Sequence, residues 1–78
     1  MWFVYLLRCA DDSYYIGITN NLDKRVDKHN KGRGAKYTRS RKPVTLLKAI
    51  ECETKSEALK LEYTAKQLPR VSKPIFFN

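Results

Sequence analysis

Apolar and aromatic residues fill both alternating sets of positions at the start of the chain: Trp2, Val4 and Leu6 on one side, Phe3, Tyr5 and Leu7 on the other. The run Phe3 to Arg8 therefore predicts a strand, and one covered on both faces. Ala10-Asp11-Asp12-Ser13 is turn material, and Tyr14 to Ile18 predicts a second strand, closing a hairpin. Gly17 inside that strand marks a bend or a close backbone approach. After Asn20 and Asn21, either of which suits an N-cap, the stretch to His29 predicts a helix anchored by Leu22 and Val26, four residues apart. Lys31-Gly-Arg-Gly34 ends it. Ala35 to Lys42 is a basic linker with room for a short helix, and Val44 to Cys52 predicts a third strand. Thr54-Lys-Ser-Glu57 has the capping-box pattern and opens a second long helix whose buried stripe is Ala58, Leu61, Ala65 and Leu68, widened by Leu59 and Tyr63. Pro69 stops it. In the tail Arg70 to Asn78, Ile75, Phe76 and Phe77 either cover an open end of the core or form a dimer contact. The order β-β-α-β-α predicts an α+β fold, a small three-stranded, mainly antiparallel sheet flanked by helices.

The chain has 78 residues, of which 42% are hydrophobic and 12% aromatic, enough for one core. A domain of this size buries roughly 60% of its unfolded surface, which excludes a multidomain machine or a Rossmann-sized cofactor domain. A single domain over residues 1–78 is expected. Met1 to Leu7, the longest apolar run, falls far short of the ~20 residues that cross a bilayer. It also lacks the features of a signal peptide, so a cytoplasmic protein with access to the nucleoid and no membrane partner is expected. Cys9 and Cys52 are too few for a zinc site and read as small buried hydrophobes in a reducing compartment.

Charge changes the picture. Sixteen Lys and Arg against eight Asp and Glu give a net charge of +8, and nine of the basic residues fall between Lys24 and Lys42 with Asp27 as the one acid. Such a field attracts polyanions, of which phosphate backbones are the commonest in a cell. Interleaved Asn30, Tyr37, Thr38 and two glycines suit phosphate and base contacts, so Lys28, Arg33, Lys36, Tyr37, Arg39, Arg41 and Lys42 are candidate nucleic-acid contacts.

A few polar residues stand out against this background. Tyr5 lies mid-strand and Tyr15 lies on the paired strand, two residues before Gly17. Arg25 and His29, an i, i+4 pair, share a helical face. Glu62 sits next to the apolar stripe of the last long helix, where a carboxylate needs a cationic partner: a divalent metal, or a neighbouring Lys or Arg such as Lys66.

Val4-Tyr5-Leu6 followed ten residues later by Tyr15-Ile16-Gly17, Arg25 eight residues after that glycine, Glu62 on the last long helix, His29-Asn30 and Gly34-Ala35-Lys36-Tyr37-Thr38-Arg39-Ser40-Arg41 together resemble the GIY-YIG endonuclease superfamily, in its small single-domain bacterial branch. That branch is similar to the structure-specific endonucleases that cut branched DNA. Phe3-Val4 stands where the family name has Gly-Ile, and Ile18 where the excision-repair branch carries a lysine. The resemblance implies a metal-dependent endonuclease hydrolysing DNA, single-stranded or branched, with little sequence specificity and a place in DNA repair or recombination. DNA is favoured over RNA, and a partner subunit or homodimer stays open. Tyr5, Tyr15, Arg25 and His29 would be catalytic, with either tyrosine orienting the attacking water and taking its proton. Arg25 would stabilise charge on the phosphate, and His29 would serve as base or as donor. Glu62 would hold one Mg²⁺ or Mn²⁺. The alternative is a nucleic-acid-binding module that keeps the fold without the chemistry.

Overall fold

A computed structural model of the chain describes residues 1–77; Asn78, the end of the predicted tail, lies outside the described residues. Three strands, β1 (Trp2–Arg8), β2 (Tyr14–Thr19) and β3 (Thr45–Cys52), form an antiparallel sheet in the order β2-β1-β3. Helices α1 (Leu22–Asn30) and α2 (Lys36–Arg39) connect β2 to β3. Helix α3 (Lys55–Lys66), a 3₁₀ turn (Arg70–Ser72) and the short α4 (Lys73–Phe76) follow. The predicted α+β architecture is the one observed, with the short α2, the 3₁₀ turn and α4 added to the predicted β-β-α-β-α order.

β1 is central, which explains its two apolar faces. Val4 and Leu6 join Ile16, Cys52, Ala58, Ala65 and Phe77 in a core beneath α3. Tyr5 and Leu7 join Cys9 and Val44 in a second core, against which Tyr15, Leu22 and Val26 pack. A register irregularity between Leu6 and Leu7 in the pairing with β3 bends the sheet there. Both cysteines are free and buried, one in each core.

Caps lie where the sequence put them. Asn21 accepts the Lys24 N–H at 3.1 Å to start α1, and Thr54 accepts the Glu57 N–H at 3.2 Å to start α3. The expectation that Leu59 and Tyr63 widen the buried face of α3 is corrected: they are 47% and 70% exposed. At about 100° per residue, Leu59 has already turned away from Ala58, and the apolar residues that α3 contributes to the core are Ala58, Leu61 and Ala65. In the tail, Phe77 is buried and Phe76 packs on the α3-side core, whereas Ile75 faces outward. Among the described residues no helix is long and apolar enough to cross a membrane.

Two tethers place the connection that carries α2. The Asn30 side-chain amide donates to the Val44 carbonyl at 3.2 Å and accepts the Val44 N–H at 2.7 Å, tying the end of α1 to the entry of β3. The β1–β2 turn grips the other end: the Ala10 N–H donates to the Arg41 carbonyl at 2.9 Å, and Arg41 Nε meets Asp11 at 3.0 Å. Together they press α2 against the face of the sheet where Tyr5 lies.

Candidate active site

Tyr5 faces Gly17 on β2 and Ala49 on β3, so its ring has small neighbours on both flanking strands. A methyl group at Gly17 would lie 2.6 Å from Tyr5 Cζ and 3.1 Å from Tyr15 Cε2. What approaches this strand is therefore the Tyr5 phenol, which accounts for the glycine. Tyr15, Gly17 and Thr19 alternate onto the same face of β2. Thr19 Oγ1 accepts the Asn21 N–H at 3.1 Å, fixing how α1 leaves the sheet and so where Arg25 and His29 point.

The four residues expected to be catalytic converge. Arg25 Nε donates to Tyr5 Oη at 3.3 Å, Tyr5 Oη meets His29 Nε2 at 2.9 Å, and His29 Nδ1 meets Thr38 Oγ1 at 2.7 Å. Thr38 Oγ1 in turn donates to the Ala35 carbonyl at 3.0 Å. The two ends fix the direction of this chain, because a guanidinium can only donate and a carbonyl can only accept. Thr38, having spent its proton on Ala35, accepts from His29, so His29 carries its proton on Nδ1. Its bare Nε2 then accepts from Tyr5, which accepts from Arg25. Every member is satisfied, and among the described residues no buried side-chain polar atom lacks a partner. The His29 ring also presses on Gly34, where a methyl group would lie 2.7 Å from His29 Cγ.

Burial sorts the cluster. Tyr5, His29 and Thr38 are fully buried, whereas Tyr15 and Arg25 are half-buried and reach the surface. Tyr15 packs edge-on against His29, with ring centroids 5.2 Å apart. Desolvation, reinforced by the positive charge of Arg25, lowers the His29 pKa to about 4, so the ring is neutral at pH 7. The Tyr5 phenol is pushed above its usual value, mainly by burial and against the pull of the Arg25 hydrogen bond. Arg25 is held charged by that same hydrogen bond, against its own desolvation, and by the Tyr5 and Tyr15 phenols beside it. With Nε committed to Tyr5, the rest of its guanidinium lies beside the Tyr15 phenol. Arg25 lines a cleft of about 240 Å³ with Thr19, Asn20, Asn21, Lys24 and Lys28.

Glu62 comes from α3, on the other side of the sheet, yet is close enough for its charge to raise the Tyr5 pKa. It pairs with Lys66 at 3.3 Å; the two side chains are 20% and 48% exposed. Among the described residues no three His, Cys, Asp or Glu are grouped to hold a metal. A cation there would take one carboxylate from this chain and its other ligands from water and phosphate. That suits Mg²⁺, which keeps several waters. The competing ion pair is an i, i+4 surface contact worth only about 0.3–0.5 kcal/mol, so it is easily displaced.

Of the candidate nucleic-acid contacts, Lys28, Arg33, Lys36, Arg39 and Lys42 are exposed, with Lys28 in the Arg25 cleft. Arg41 is different. It binds Asp11, donates to the Tyr37 carbonyl at 2.8 Å and lies 4.0 Å over the Tyr37 ring, so it is a structural tie as much as a free cation. Thr38, read from the sequence as suited to phosphate or base contact, is instead fully buried and holds His29. Its signal was a lone threonine beside Tyr37 in a segment with helical potential, visible only once α2 is folded onto His29.

The family model of the GIY-YIG catalytic domain matches residues 1–73. A UPF0213 protein of Bacillus velezensis is 55% identical over 71 residues, covering 91% of this chain and 72% of that protein. A UPF0213 protein of Nitratidesulfovibrio vulgaris is 49% identical over 69 residues, and this chain spans 63% of its length. The solution NMR structure of a protein from E. faecalis superposes with a TM-score of 0.64 at 42% identity, covering 95% of this chain and 79% of that one.

Proposed function

Because the chain belongs to the GIY-YIG catalytic-domain family, we propose that it is a metal-dependent endonuclease, acting as one domain, that hydrolyses phosphodiester bonds in single-stranded or branched DNA with little sequence readout. Its place would be DNA repair or recombination. The observation that carries the reading is the placing of Arg25: its Nε is tied to a buried hydrogen-bond chain while its side chain lines a basic cleft. A guanidinium used only for solubility needs no such anchor. Held this way, it offers a fixed fork of donors to the phosphate oxygens where charge grows in the transition state.

Tyr15, half-buried where Tyr5 is fully buried, orients the attacking water and takes its proton. Tyr5, His29 and Thr38 have no exposed surface and act as positioning residues, keeping Arg25 and Tyr15 in register. Glu62 would hold the divalent cation, which when bound acidifies water and neutralises phosphate charge. A phosphate on Arg25 offsets the charge that helps depress the His29 pKa, so substrate binding and the protonation of this cluster are coupled.

The test is cleavage of labelled single-stranded, duplex and branched DNA and of matching RNA, with Mg²⁺, Mn²⁺ or EDTA, by the wild-type protein and by Glu62→Gln. Metal-dependent cutting lost in the variant, with substrate affinity kept, is the expected result. Binding without cutting of any substrate would instead make the chain a nucleic-acid-binding module on a nuclease fold.

A further inference from the structure

Beside the Tyr15 phenol lies a second cleft, of about 170 Å³, lined by Tyr14, Tyr15, Ile16, Tyr37, Lys66 and Lys73. The rings of Tyr15 and Tyr37 are nearly parallel, inclined by 25° with centroids 6.0 Å apart. Tyr37 is 39% exposed, on a four-residue helix where burial does not require an aromatic residue. Its ring is nonetheless held. The Arg41 guanidinium lies 4.0 Å from its centroid, and Arg41 is itself tied to Asp11 and to the Tyr37 carbonyl. Across the cleft, Arg70 lies 5.1 Å from the centroid of the Tyr14 ring. Preorganised aromatic rings with ammonium groups at the margin match one kind of ligand, a flat heterocycle carrying an anion.

We infer that this cleft is a stacking subsite for one unpaired nucleobase, on the nucleotide next to the phosphate held by Arg25. The inference rests on the nuclease reading for what lies at Arg25, and it narrows the substrate to strands with an unpaired base at the cut. Tyr15 lines this cleft and lies beside Arg25, which sets the base near the phosphate held there. A base in a duplex has both faces stacked and its edge paired, so only an unpaired base has a face free for these rings. Lys66 and Lys73 supply charge for the neighbouring phosphates without reading the base.

The experiment measures binding in EDTA, so it does not depend on cleavage. A short oligothymidylate carrying one fluorescent adenine analogue is titrated with wild-type protein, Tyr37→Phe and Tyr37→Leu. A strand with abasic sites in place of the bases is titrated with wild-type protein alone. Stacking on an aromatic residue is worth about 1–3 kcal/mol per base, or about 5- to 150-fold in affinity. Wild type and Tyr37→Phe are expected to quench the analogue and to bind alike. Tyr37→Leu should lose affinity in that range together with the quenching, and the abasic strand should bind wild type correspondingly weakly. Equal binding of the abasic strand, or unquenched binding by wild type, would overturn the subsite and leave a phosphate-only surface. The abasic comparison uses unaltered protein, so misfolding of a variant cannot imitate it. If stacking is found and no substrate is ever cut, the subsite stands and the nuclease reading fails.

Discussion

Replacing Thr38 with valine tests the hydrogen-bond chain at its inner end. The two side chains have nearly the same shape, so the change removes a hydroxyl and little else. The Ala35 carbonyl loses one donor and keeps another, the Thr38 backbone N–H at 3.2 Å. His29 Nδ1–H, by contrast, is left buried without an acceptor. If the ring shifts its proton to Nε2, that N–H points at Tyr5 Oη, which then accepts from both Arg25 and His29 and has nowhere to donate. The orphan moves without disappearing. Leaving one buried donor unpaired costs about 1–3 kcal/mol, in a domain whose total stability is about 4–12 kcal/mol. Urea unfolding should show that loss, and the melting temperature should fall by about 4–8 °C for each kcal/mol. Thr38→Ser keeps the hydroxyl and loses one buried methyl, about 0.8 kcal/mol. Nitrogen NMR of the His29 ring separates the variants further: Nδ1 protonation is expected in wild type and Thr38→Ser, but not as the single form in Thr38→Val. A valine variant as stable as wild type with Nδ1 still protonated would refute the chain as drawn.

Acid should weaken the fold through His29. Its pKa is about 4 in the folded protein against 6.5 as the ordinary value, so as pH falls the unfolded chain takes up the proton first. The stabilisation is complete above about pH 6.5 and is lost progressively toward pH 4, to a total of about 3 kcal/mol. Urea titrations at both ends of that window should show the slope in wild type and its flattening in His29→Gln; equal slopes would contradict the assignment. Gly17→Ala and Gly34→Ala drive a methyl into the Tyr5 and His29 rings, and each should cost about 1–3 kcal/mol as overpacking, read as a lower urea midpoint. Glu62→Gln should change stability by less than about 0.5 kcal/mol, since only a partly exposed i, i+4 ion pair is lost; calorimetry giving a larger loss would make Glu62 structural.

Much of this site was legible before any coordinates. The two-faced pattern around Tyr5 made β1 a covered strand, and i, i+4 spacing put Arg25 and His29 on one helical face, while the resemblance to the GIY-YIG superfamily is what grouped them with Tyr5 and Tyr15. Sequence could not say which tyrosine is inside, because both point to the same face. The difference is that β1 is central and β2 is an edge strand, a property of sheet order. That Thr38 holds His29 was invisible for a related reason. Its role depends on α2 being pressed onto His29 by Asn30–Val44 and Asp11–Arg41, contacts between residues 14 and 30 positions apart. Leu59 and Tyr63 misled because the apolar character of α3 extends past the stripe that the small sheet covers.

The account stands most directly on Tyr15→Phe in single-turnover cleavage at saturating Mg²⁺. The ring and its packing against Tyr37 and His29 are kept, and only the hydroxyl is removed. The rate should fall by about 10²- to 10⁴-fold, the worth of a positioned proton acceptor, with substrate affinity unchanged. Cleavage at the wild-type rate would contradict the assignment of Tyr15 as the proton acceptor.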